Sequence, residues 1–223
     1  MGETHAGLMD GIYRHQRHVY DFTRKYYLLG RDRLIGELAL RPGERLVEIG
    51  CGTARNLIRM AELYPDAEFF GLDASAEMLE TAARAVAKAG LCHRIRLAQG
   101  YAERLEPSLF GQNRPFDRAV FSYSLSMIPQ WNQALTASGQ SLGEHGRVHV
   151  VDFGDFAEVA WPLAGLLRAW LRLFHVQPRV EILRGIEARA RCATPENGDF
   201  WILPGRYAFG WSCGREDVLN LSL

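Results

Sequence analysis

The 223-residue sequence predicts an α/β chain: a doubly wound, mostly parallel, seven-stranded sheet with a C-terminal antiparallel hairpin and an N-terminal helical lid. Three observations carry that expectation. The apolar run at 46–49 ends in Gly50-Cys51-Gly52 and an amphipathic helix follows, which is how a parallel sheet turns a strand into a ligand-binding loop. Strand-length apolar runs then alternate with helical patterns at the spacing of strand–helix–strand units. Pro204-Gly205 separates two further strand-like runs, as the turn of a hairpin does.

Taken in order, helical signals dominate residues 9–40. Arg45–Ile49 reads as a buried strand and 54–63 as a helix closed by Pro65. A second strand at 67–72 ends at Asp73, and Ser75 is suited to cap a helix over 76–89 with Gly90 beyond it. A third strand is expected at 93–98, followed by a polar, Gly- and Pro-containing loop over 99–115. Phe116–Ser122 and 147–152 have strand length and flank a helix near 131–142. A long helix at 156–174 precedes the hairpin strands at 199–203 and 206–211. The boundary between lid segment and main domain falls after residue 40, giving 1–40 and 41–223 within one folding unit.

Composition narrows the function. Lys+Arg and Asp+Glu are equal at 26 each, so no global field attracts nucleic acid. Cys51, Cys92, Cys192 and Cys213 have no paired spacing, which suggests neither a metal site nor a disulfide framework and fits a reducing cytosol. No apolar run of about 18 residues could span a bilayer. The expectation is a cytoplasmic chain, peripheral on the inner face of the membrane.

The loop after the first strand is the candidate ligand site. Glycines let the backbone approach a ligand closely. A pyrophosphate loop gains nothing from a nearby carboxylate, whereas Glu48 at the strand tip suits a ligand carrying an ammonium group. Asp73, 23 residues after Gly50, stands where an acid accepts both hydroxyls of a ribose. Tyr101 follows the third strand, where a base would lie, and Ser122-Tyr123-Ser124 leaves the fourth. A nicotinamide site would prefer Gly-x-Gly-x-x-Gly, and the third glycine is missing here.

On these residues the chain resembles the class I S-adenosylmethionine-dependent methyltransferases, whose fold is Rossmann-like and whose loop reads acidic-x-Gly-x-Gly-x-Gly. Ala54 stands in place of the third glycine. The resemblance covers roughly residues 20–211. It implies that Gly50, Gly52 and Thr53 pack around the methionine moiety of S-adenosylmethionine and that Glu48 orders its ammonium group. It further implies Asp73 on the ribose, Met78 with Tyr101 and Ala102 around adenine, and Ser122 on the floor. Ala74, Tyr20 and Arg31 complete the implied cofactor set. Many relatives carry an acid where this chain has Tyr101.

The acceptor is read elsewhere. The fourth-strand exit is not the Asn-Pro-Pro-Tyr common in relatives that methylate bases or glutamine amides. In the N-terminal segment, Tyr13, Arg17, Tyr20, Arg24, Tyr27 and Arg31 are spaced 4, 3, 4, 3, 4. One continuous helix would gather them into a stripe of phenols and guanidinium forks, suited to carboxylates or phosphates unless it is a solvated face. Gly30 can break that helix. The run 161–174 combines tryptophans, leucines and two arginines, fitting either an interfacial segment or the helix that covers the sheet.

The N-terminal runs, from Ile12 to Asp21 and from Thr23 to Ile35, together with the run from Ser122 to Pro129, are similar to those of bacterial betaine-lipid diacylglyceryl-homoserine N-methyltransferases. That resemblance implies three successive methyl transfers onto the amino group of a homoserine headgroup. It also implies a lipid substrate at the membrane surface and a partner enzyme that builds the lipid. Tyr27, Tyr123 and Asp152 are the residues expected around the amine, with Tyr13, Arg17 and Arg24 alongside Tyr27 and Tyr123 on the substrate. Asp152 at the fifth strand's tip could take a proton or make a structural hydrogen bond. Competing readings are another lipid or small acceptor, such as phosphatidylethanolamine or a quinone precursor, and a non-catalytic cofactor-binding partner protein.

Overall fold

The computed structural model describes residues 28–173, 176–190 and 199–220. Seven strands form one sheet: β1 (Arg45–Ile49), β2 (Glu68–Asp73), β3 (Ile95–Gln99), β4 (Phe116–Ser122), β5 (Leu142–Phe153), β6 (Phe200–Ile202) and β7 (Ala208–Gly214). Their order is β3-β2-β1-β4-β5-β7-β6. The pairs from β3 through β5 are parallel, and β7 is antiparallel to both β5 and β6. β1 is buried along its whole length, as expected of a central strand covered on both faces. The chain order reverses between β1 and β4, and the crevice above such a switch point is where open α/β sheets hold ligands.

Helices cover both faces: α1 (Arg31–Glu37), α2 (Arg55–Leu63), α3 (Ala76–Lys88), α4 (Trp131–Gln140), α5 (Trp161–Leu173), α6 (Val180–Ala190) and α7 (Arg215–Leu219). Two apolar clusters fill the space on either side. One contains Leu34, Ile35, Leu57, Met60, Phe153, Ala164 and Leu171. The other contains Val47, Phe70, Phe121, Leu135, Ile182 and Leu183. The chain therefore crosses from one face to the other between α5 and α6. Among the described residues, no helix is long and apolar enough to cross a membrane.

Several expectations need correction. The helix expected over 156–174 begins at Trp161, because Phe156 takes a left-handed backbone (φ 56°) and the chain turns there. α6 and α7 are additions, and β5 starts five residues earlier than expected, at Leu142. The loop at 99–115 carries two short 3₁₀ turns, Ala102–Arg104 and Pro107–Phe110. Gly30 does break the N-terminal helical pattern. Its φ is 85°, and a β-carbon there would lie 2.6 Å from the Trp201 ring. α1 starts afresh at Arg31, so no single stripe runs through to that residue. The lid expected from the sequence lies, up to residue 27, outside the described residues.

Candidate cofactor site

The loop from β1 to α2 is tied down before any ligand is considered. Gly50 and Cys51 both donate from their backbone amides to the Leu72 carbonyl at 2.8 and 3.0 Å. The Gly52 amide donates to Asp73 Oδ2 at 2.8 Å, and the Ser75 amide donates to Oδ1 at 2.9 Å. Asp73 thus knits the glycine loop to the start of α3. Each carboxylate oxygen can accept more than one bond, so this anchoring leaves acceptor capacity for a ribose diol. The cap expected at Ser75 is present, with its Oγ accepting from the Met78 amide at 3.3 Å.

A cavity of about 420 Å³ opens above this loop. That volume lies within the usual range of about 300–1,000 Å³ for small-molecule sites. One wall is Gly50, Gly52, Asp73 and Ala74, with Tyr101, Ala102 and Glu103 from the turn after β3. The facing wall comes from the segment after β4: Tyr123, Ser124, Met127, Ile128, Pro129 and Gln130. Ser124 Oγ is buried with no partner among the described residues. A buried hydroxyl left unpaired costs free energy unless a ligand or water completes it. An acidic acceptor, a glycine-lined approach and apolar lining from Leu72, Ala102 and Ile128 fit a nucleoside bearing an amino-acid arm.

Of the expected cofactor residues, Gly50, Gly52, Asp73, Ala74, Tyr101 and Ala102 share this cavity. Glu48 stands behind its wall, only 1% exposed, where Oε1 accepts from Asn56 Nδ2 at 2.7 Å. Thr53, Met78 and Ser122 also lie off the wall; Met78 is buried in the first turn of α3. Arg31 is buried and donates from Nε to the Leu28 carbonyl at 3.1 Å. Tyr13, Arg17, Tyr20, Arg24 and Tyr27 fall outside the described residues.

The two described catalytic candidates have other work. Both Asp152 oxygens accept backbone amides, Oδ2 from Ser126 at 2.9 Å and Oδ1 from Phe153 at 2.7 Å. Complete burial pushes its carboxyl up to about 6, against the opposing pull of those amides. It anchors the cavity's far wall and does not line the cavity. Tyr123 does line it, but its hydroxyl donates to the Leu29 carbonyl at 2.5 Å, and burial, then the charge of Asp152, pushes its pKa well above the usual phenol range. Its backbone is left-handed at φ 57°, a conformation that costs a non-glycine residue about 1 kcal/mol or more. Tyr123 straps the segment ahead of α1 to the site.

Sequence reasoning missed Ser75, Glu103, Ser124 and the 127–130 wall as lining residues. Their signal was position alone: each lies in the segment that follows β2, β3 or β4. It also missed Arg179, whose Nε donates to the Leu125 carbonyl at 3.2 Å and whose Nη2 donates to the Ile128 carbonyl at 2.8 Å. With the Gln177 amide donating to the Ser126 carbonyl at 2.9 Å, this crossing segment clamps the far wall from outside.

Fold and site together define a doubly wound α/β protein with a cavity above its switch point. Comparison with known proteins narrows the class. Residues 46–146 match the family model described as Methyltransferase domain. The chain is 30% identical over 166 residues to a ubiquinone/menaquinone biosynthesis C-methyltransferase of Syntrophotalea carbinolica, covering 72% of this chain and 66% of that protein. It is 26% identical over 185 residues to a demethylmenaquinone methyltransferase of Deinococcus radiodurans, covering 80% and 72%. A crystal structure of an S-adenosylmethionine-dependent methyltransferase from Aquifex aeolicus superposes with a TM-score of 0.62 at 14% identity, over 88% of this chain and 95% of that one. The last likeness shows the fold. The chain spans roughly half to two thirds of the length of the first curated relatives it matches. The chain is thus similar to methyltransferases in sequence and shares the fold of an S-adenosylmethionine-dependent one.

Proposed function

We propose that the chain transfers methyl groups from S-adenosylmethionine to the amino group of a diacylglyceryl-homoserine headgroup, three in succession, to make a betaine lipid. The observation that carries methyl transfer is the lining of this cavity. A glycine and aspartate cradle forms one side, and the facing wall is uncharged and largely apolar from Tyr123 to Pro129. The N-terminal runs similar to betaine-lipid enzymes support the headgroup assignment.

When bound, the cofactor supplies an electrophilic methyl group on a sulfonium. The protein's part is alignment. Asp73 would hold the ribose, Gly50 and Gly52 would let the amino-acid arm lie against the loop, and Tyr101 with Ala102 would flank the base. Ser124, whose buried Oγ lacks a partner among the described residues, would supply a hydrogen bond on the facing wall. The only carboxylates on the described wall, Asp73 and Glu103, sit on the cradle side. Orientation and exclusion of water therefore carry the reaction there, a contribution of roughly 7–11 kcal/mol in well-aligned systems.

A second reading has its own support. The two relatives above that match most of this chain are named for quinone methylation, so carbon methylation of a prenylated quinone precursor is the alternative. The test offers labelled cofactor with diacylglyceryl-homoserine, phosphatidylethanolamine or a prenylated quinone precursor in mixed detergent micelles, with products counted by mass. Homoserine lipid gaining one, two and three methyls is expected. Label in the quinone alone selects the second reading. Cofactor binding by calorimetry without label in any acceptor points to a non-catalytic cofactor-binding partner.

A further inference from the structure

The helix α5 is apolar on the wrong side as well as the right one. Ala164 and Leu171 are buried, and Leu167 and Trp170 pack on the same cluster. An ordinary covering helix would turn a polar stripe outward. Here Pro162, Leu166, Ala169 and Leu173, spaced 4, 3, 4, form the outward stripe and all are exposed. Leu166 is 67% exposed and Leu173 70%, with Leu163 at 58% on the flank and Trp161 at 87% at the helix start.

Charge selects the occupant. The helix carries Arg168 and Arg172 and no carboxylate. Pairing this face with a second copy would bring four arginines together with no acid on either helix to offset them. An anionic lipid surface offers the opposite sign, and it accepts leucines and a tryptophan at the depth of the headgroups. We propose that the outward stripe of α5, with Trp161, Leu166 and Leu173 as its apolar anchors and Arg172 as its cation, docks the protein on an anionic lipid bilayer.

The position of α5 gives that docking a purpose. It packs on the cluster that also takes Met127 of the cavity wall. The segment leaving α5 contributes the Gln177 and Arg179 hydrogen bonds to the carbonyls of residues 125, 126 and 128. A helix seated in the headgroup layer thus holds the acceptor-side wall at the surface where a lipid acceptor resides. The inference rests on the lipid-acceptor reading and deepens it.

The experiment is co-sedimentation of the full-length protein with extruded vesicles, either phosphatidylcholine alone or phosphatidylcholine and phosphatidylglycerol at about 7:3. Binding to the anionic vesicles is expected, falling steeply in about 0.5 M salt and on neutral vesicles. The pair Leu166→Glu and Leu173→Glu should lower partitioning on the order of tenfold or more. Both side chains already face solvent, so the melting temperature, cofactor affinity and transfer to acceptor in detergent micelles should stay unchanged. Wild-type protein that ignores anionic vesicles overturns the proposal, and so does a double variant that binds them as tightly as wild type. A concentration-dependent dimer that the substitutions dissolve, without vesicle binding, would assign the face to a second copy and overturn it too. Micellar activity separates the two ideas: transfer without vesicle binding sinks the docking surface and leaves the lipid acceptor standing.

Discussion

At Gly50 the cofactor loop and the far wall of the cavity nearly touch. Its φ is 75°, and a β-carbon there would lie 2.6 Å from Ser124 Cβ. Gly50→Ala should therefore cost about 1–3 kcal/mol of stability and weaken cofactor binding by at least about tenfold. A thermal melt and calorimetry with cofactor check it; near-wild-type affinity would refute the close approach. Tyr123→Phe acts differently, because it removes only the strap to Leu29. It should cost about 1 kcal/mol of stability and reduce methyl transfer while leaving cofactor affinity within about threefold. Equal losses in transfer and binding would show that Tyr123 serves the cofactor. Gly50, Gly52 and Asp73 were legible because loop chemistry demands those residue types at that spacing. The hydrogen bonds of Asp152 and Tyr123 were not legible, because a sequence shows which residues end a strand, and not which backbone amides or carbonyls their polar atoms meet. The same blindness hid Asn56, the partner that a buried Glu48 requires.

Among the elements, the strands and helices up to Gln140 follow patterns with a clear period, and β1 and β4 have the limits expected from the sequence. The misses have physical reasons. The added start of β5, Leu142–Gly-Glu-His-Gly, has two glycines and two polar residues and no alternation to read. α7 is five residues long, too short to show a helical period. α6 is marked by no obvious cap, and its place is set by tertiary contacts. Ile182 and Leu183 enter the core, and Glu187 pairs with Arg206 at 2.8 Å. Arg206 also pairs with Asp155 at 2.7 Å, so one guanidinium joins α6, the hairpin turn and the exit of β5. Arg179, just ahead of α6, turns this placement into support for the cavity. Arg179→Ala leaves two carbonyls of the 124–130 wall without their charged donor, a loss of about 1.5–3 kcal/mol. Faster hydrogen exchange confined to residues 124–130 and a raised acceptor KM are expected, with Arg179→Lys recovering only part because a lysine cannot reproduce the fork. Unchanged exchange in that segment would show the clamp to be idle.

For the molecule as a whole, two buried ionisable groups pull stability in opposite directions as pH changes. His149 lies between β4 and β7, its Nδ1 2.8 Å from Ser212 Oγ. Burial, with Arg118 and Arg147 nearby, lowers it from 6.5 to about 3. The folded state therefore binds fewer protons than the unfolded chain below about pH 6.5, and His149 alone makes stability fall as pH drops toward 3. Asp152 is raised from 3.8 to about 6, so the folded state binds its proton first, and Asp152 alone makes stability rise as pH drops from 6 toward 3.8. Each slope approaches about 1.4 kcal/mol per pH unit where one state is protonated and the other is not. Between about pH 6 and 4 the two contributions largely cancel, and below that window only the His149 loss remains. Single substitutions should separate them. Measured by denaturant unfolding relative to wild type, Asp152→Asn should expose a stability that falls with decreasing pH across that window. His149→Gln should expose one that rises. The absolute stability of Asp152→Asn will be lower throughout, since an amide cannot accept from both the Ser126 and Phe153 amides, but that offset does not alter the slope. Two variants whose profiles run parallel to wild type from pH 7 to about 4 would mean that neither group titrates as its burial dictates.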